Sequence, residues 1–80
     1  MNFKTHKAII AKRDIREIAY EIQYCYDHGY NNSSFKHMVD SMFNWYDRNE
    51  SWTPKQEEFL RNHLAYIKTE KEYVGKIESN

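Results

Sequence analysis

Eighty residues with 40% apolar and 16% aromatic content can close one small hydrophobic core, which argues against both a multidomain chain and wholesale disorder. Twelve basic and twelve acidic residues cancel to a formal net charge of zero, which excludes binding to nucleic acid by bulk charge. A single cysteine, Cys25, excludes an internal disulfide framework and points to a reducing, cytosolic compartment.

The opening run MNFKTHKAIIAKRD has only a short apolar stretch, Ala8 to Ala11, and then turns charged, so it reads as neither signal peptide nor membrane span. Residues 4–12 suit a short first helix carrying Ala8, Ile9 and Ala11, or an extension of the helix that follows. That next helix is marked by Ile15, Ile18, Ala19, Ile22, Cys25 and Tyr26, which recur at helical spacing. Asp14 with Glu17 offers a capping box at its start, and Gly29 stands where it should end.

Ser33 or Ser34 can cap a second stripe of Phe35, Met38, Val39, Met42, Phe43 and Tyr46, the clearest period in the chain. This stripe predicts Met42 at the centre of the core, Trp45 at the core's edge and Asp40 facing outward. Thr53-Pro54-Lys55-Gln56 then reads as a cap, a first-turn proline and a capping-box glutamine ahead of Phe59, Leu60, Leu64 and Ile67. Trp52, just before that cap, is expected to close the loop over the core. From Lys68 to Ile77 the helix either continues or breaks, with Val74 and Ile77 as late anchors and Gly75 as the weak point. No strand pattern competes, so the expected fold is all-α: a small antiparallel bundle over residues 1–80, with three long helices and a short N-terminal one.

Little in the chain suits catalysis. Cys25 lies on an apolar stripe and reads as a buried structural thiol; with His28 it offers two metal ligands at i, i+3, but no second pair completes a four-ligand zinc site. His6, His28, His37 and His63 are scattered and are expected at the surface or at helix ends. Neither a glycine-rich phosphate loop nor a nucleophile with a neighbouring base appears, so no enzymatic activity and no cofactor are expected.

Charge is unevenly placed. Residues 1–16 hold Lys4, Lys7, Lys12, Arg13 and Arg16 against Asp14 alone, whereas residues 17–50 hold six carboxylates against Lys36 and Arg48. At 100° per residue, Tyr20 and Tyr24 project away from the Ile15, Ile18, Ile22 stripe and lie beside Arg13 and Arg16. Rings that stack bases and guanidinium groups that hold phosphate are what a nucleic-acid face uses. The competing reading is that the N-terminal segment or the end of the last helix covers those rings. A second functional reading is a protein-interaction module whose contact surface is the acidic middle, Asp40, Asp47 and Glu50, with the aromatic loop around Trp52.

Taken over its length, with its Lys, Asn and Tyr-rich style and the run MFNWYDRNESWTPKQEEFL, the chain resembles the small accessory proteins associated with the UvsW recombination helicase of T-even phages. The stretch from Phe35 through Gln56 to Leu64 is also similar to a helical hairpin frequent in phage and plasmid proteins. The resemblance implies a bundle similar to the HRDC module of RecQ-type helicases. It further implies a role in DNA recombination or repair in the host cytoplasm, with single-stranded or branched DNA and a helicase as partners. It carries over no individual residue; Lys4, Lys7, Lys12, Arg13, Arg16, Tyr20 and Tyr24 are candidates on charge and projection alone.

Overall fold

The computed structural model describes the backbone of residues 2–79 and the side chains of residues 2–71. Four helices follow in order: α1, Phe3–Ile10; α2, Ile15–Asp27; α3, Ser33–Asn49; and α4, Pro54–Ser79. At 1.5 Å per residue α4 is about 39 Å long, most of the 46 Å long axis of the molecule. It is the spine on which α1 and α2 pack closely, and together the helices form a small all-α bundle.

Local chemistry places the helix ends. Asn2 caps α1 by accepting from the Thr5 N–H at 2.9 Å, and Asp14 caps α2 by accepting from the Arg16 N–H at 3.3 Å. Helix α2 stops at a Schellman turn: the Tyr30 N–H reaches back to the Cys25 carbonyl at 2.9 Å, the Gly29 N–H bonds to Tyr26, and Gly29 takes φ +104°. Only glycine adopts that backbone without strain. The α3 cap is Asn32, one residue before the expected serines; its side chain accepts from the Phe35 N–H at 3.4 Å. At the start of α4 the expected capping box is complete, since the Thr53 N–H donates to Gln56 Oε1 at 2.9 Å and the Gln56 N–H donates to Thr53 Oγ1 at 3.2 Å.

The core gathers Ile10 of α1, Ile18, Ala19, Ile22 and Cys25 of α2, Val39 of α3, the loop residue Trp52, and Leu60, Leu64, Ala65 and Ile67 of α4. The α2 and α4 stripes therefore fall where their spacing puts them. Helix α1 differs: Ile10 is its buried anchor, while Ala8, Ile9 and Ala11 are exposed. Helix α4 runs through residues 68–77 without a break, and the expected roles of Val74, Gly75 and Ile77 lie outside the residues whose side chains are described.

The largest correction concerns α3. Its strong period is genuine, but its buried centre is Val39, with Phe43 and Tyr46 packed beside it and Met42 only half-buried. Around a helical wheel Met42 lies about 60° from Val39, and Met38 and Trp45 lie roughly 100–120° away. Trp45 is 39% exposed and so is not a core residue. Asp40 faces solvent as expected, paired with Lys36 at 3.0 Å. Trp52 does close the loop over the core, and its indole N–H donates to the Met42 carbonyl at 2.8 Å.

Candidate nucleic-acid interface

Helix α2 turns Ile18, Ile22 and Cys25 inward, and this rotation carries Tyr20 and Tyr24 outward, where they are 74% and 59% exposed. Neither ring is covered by the N-terminal segment or by the described part of α4. Arg16, Tyr20, Tyr24 and His28 follow one another at intervals of four, so they form a single ridge along the helix. At the ridge's end the Tyr24 and His28 rings stack with centroids 3.8 Å apart, and His28 Nδ1–H donates to the Tyr24 carbonyl at 2.9 Å. At the other end Arg16 is exposed and makes only a loose pair with Asp14 at 3.6 Å. An exposed pair of that kind contributes little to stability.

The basic residues divide into two groups. Lys4, Lys7 and Lys12 are exposed on α1 and the turn after it. Arg13 is held inside the fold: its guanidinium donates to Glu21 at 3.0 Å, and Glu21 also takes Lys68 at 2.9 Å. Burial pushes the Glu21 carboxyl upward, yet the bonds from Lys68 and Arg13 outweigh it and hold the group below the usual carboxylate range. Glu21 thus links the turn before α2 to α4, and the Arg13 guanidinium is engaged in that pair. Sequence reasoning also missed Arg61, which donates to the carbonyls of Ile10 and Arg13 at 2.7 and 2.8 Å and so ties the corner between α1 and α2 onto α4.

His63 is the second correction. Expected at the surface, it is only 3% exposed, in an aromatic cluster with Tyr26, Tyr30, Phe35 and Phe59. Its Nε2 shares a 2.8 Å hydrogen bond with the Tyr26 hydroxyl, while Nδ1 is buried with no partner among the described residues. Burial, only partly offset by Glu70, lowers the His63 pKa, and burial raises that of Tyr26 to about 12. A signal was present in the sequence, since His63 lies between Leu60 and Leu64 on the buried side of α4. Beside this cluster a cavity of about 230 Å³ is walled by Phe3, Phe35, Phe59, Asn62 and Tyr66.

A pH effect follows. An unfolded chain protonates histidine near 6.5, above the folded His63 value, so acid favours the unfolded state. The stability conferred by neutral His63 should be complete above about pH 6.5 and should fall as pH drops toward the lower folded pKa. Thermal midpoints measured between pH 7.5 and 5 should decline, and His63→Phe should make that decline shallower. An unchanged slope in the variant would show that His63 is not its source.

Cys25 is buried in the core, whereas the His28 ring lies exposed on Tyr24. Among the described residues no three His, Cys, Asp or Glu side chains converge on a point a metal could occupy, and no helix is long and apolar enough to cross a membrane. Comparison of the chain with protein-family models, curated proteins and solved structures gives no match, so the interface rests on its own geometry.

Proposed function

We propose that this protein is a non-catalytic accessory factor that binds single-stranded or branched nucleic acid weakly. Phosphates pair with Lys4, Lys7, Lys12 and Arg16, and unstacked bases lie on Tyr20 and Tyr24. The ridge of Arg16, Tyr20, Tyr24 and His28, exposed along α2, is the observation that carries this reading. Successive ridge positions are about 6 Å apart along the helix axis, wider than the 3.4 Å between bases stacked in a duplex. The ridge therefore suits a strand whose bases are splayed apart and supported singly on aromatic faces. In this proposal the factor works beside a recombination helicase, a role suggested by the general character of its sequence alone.

Fluorescence anisotropy with a labelled single strand tests the reading. Binding should be micromolar or weaker at low salt, and log K should fall against log salt by about 0.7 for each phosphate neutralised. The double variant Tyr20→Ala, Tyr24→Ala should lose at least about tenfold in affinity, since each stacked base contributes roughly 1–3 kcal/mol. Arg13→Gln, in contrast, should act mainly on stability. A flat salt response, or full binding by the double tyrosine variant, would remove the proposal.

A second reading is favoured by a different surface. Met38 and Trp45 are exposed and, with Met42, line an open groove on α3 bordered by His37, Arg48 and Gln56. Exposed methionine and tryptophan on one helix suit a protein partner. In that case Trp45 is the anchor, in place of Trp52, which is buried. One stoichiometric protein recovered from infected cells after nuclease treatment, and lost with Trp45→Ala, would favour this reading.

A further inference from the structure

We propose that the cavity between α2 and α3 seats one unstacked base bearing an exocyclic amino group, with Arg16 on the strand's phosphate and Asp47 accepting from the amine. This rests on the single-strand reading above and names which bases it prefers. The cavity measures about 210 Å³ and is lined by Arg16, Tyr20, Phe43, Tyr46, Asp47 and Trp52, with Ala19 at its floor. A cavity of about 150 Å³ accommodates benzene, so the space is large enough for one base. It opens beside Tyr20, on the ridge itself, so a strand lying along α2 passes its mouth.

The walls are ring faces and edges. Tyr46 and Trp52 are 4.5 Å apart between centroids, and Phe43 meets Trp52 edge-on at 6.2 Å. Trp52 Nε1–H is already bonded to the Met42 carbonyl, so the indole contributes surface and no free donor. The charged groups of the lining are Arg16 and Asp47, beside the Tyr20 and Tyr46 hydroxyls. A carboxylate on a phosphate-binding surface repels the strand unless it accepts a hydrogen bond from it. Asp47 is exposed and is held by no ion pair among the described residues. Cytosine and adenine present an amine that a carboxylate accepts from. Thymine presents an imide N–H between two carbonyl oxygens, and those oxygens face a carboxylate unfavourably. Asp47 thus selects by attracting one base edge and repelling the other.

The test compares oligo(dC) with oligo(dT), both pyrimidine strands, by anisotropy at low salt with the wild-type protein and with Asp47→Ala. Circular dichroism confirms that the variant keeps its helices. The wild type should favour oligo(dC) by about fivefold, the value of roughly one hydrogen bond, and Asp47→Ala should bring the ratio close to one. Equal binding of the two strands by the wild type, or a preference that survives in Asp47→Ala, would overturn the inference and leave the single-strand reading standing. Absence of binding to both strands would overturn the reading and the inference together.

Discussion

Leu64→Asp should abolish the far-UV helical signal at 25 °C, because it places a carboxylate where the native side chain is fully buried in the shared core. Burying an unpaired charge costs several kcal/mol, against a total stability of only about 5 kcal/mol for a core of this size. Met42→Asp makes the comparison informative. Met42 is half-buried and lines an open groove, so a carboxylate there can turn into water. Its cost should stay near 1–2 kcal/mol, and the variant should remain folded. Circular dichroism on the two proteins would contradict the assigned core if Met42→Asp unfolded and Leu64→Asp did not.

The second large effect is expected at Trp52. Its indole is buried, its N–H donates to the Met42 carbonyl at 2.8 Å, and its ring lies on Tyr46. This one side chain fastens the loop between α3 and α4 to α3. Truncation of a buried tryptophan typically costs about 3–5 kcal/mol, so Trp52→Ala should leave the protein at the edge of unfolding in water. Trp52→Phe keeps most of the apolar burial and loses the hydrogen bond, for a cost of about 1 kcal/mol beyond the packing change. Urea unfolding should rank the proteins wild type, Trp52→Phe, Trp52→Ala. Equal midpoints would show that the loop does not depend on Trp52.

These two residues also mark what could be read in the amino-acid order. Glycine, proline and capping residues act over three or four positions, so the Gly29 stop and the Thr53–Gln56 box stand where local chemistry puts them. The Ile18, Ile22 and Leu60, Leu64 stripes likewise point inward. Periodicity fixes a helix's apolar side but not how much of it neighbours cover. Helix α3 has a broad apolar arc, yet among its residues only Val39 is fully enclosed, which leaves Met38 and Trp45 in solvent. In α1 the choice between the adjacent Ile9 and Ile10 depends on how the short helix rolls against α4, which no local pattern specifies.

The candidate interface was legible to a similar depth. Outward projection of Tyr20 and Tyr24 follows from the inward stripe of their own helix, and their exposure agrees with it. Which cations remain available does not follow from sequence, because it depends on pairs formed across the fold. Arg13 meets Glu21 eight residues on, and the same carboxylate takes Lys68 from α4. The position of His63 beside Leu60 and Leu64 points it inward, but the rings that enclose it come from α2, α3 and the turn between them and are not visible in its own helix. The groove shared by Arg16 and Asp47 likewise exists only once residues of α2, α3 and the loop after α3 are brought together by the fold.

Binding of a single strand along the α2 ridge is checked by amide chemical shifts recorded while a short single-stranded DNA is titrated in at low salt. The largest fast-exchange shifts should fall at Lys12, Arg16, Tyr20 and Tyr24, with Asp47 among them across the groove and Leu60 and Leu64 unmoved. Shifts confined to Met38, Met42 and Trp45 on the far side of α3, or no shifts at millimolar DNA, would contradict it.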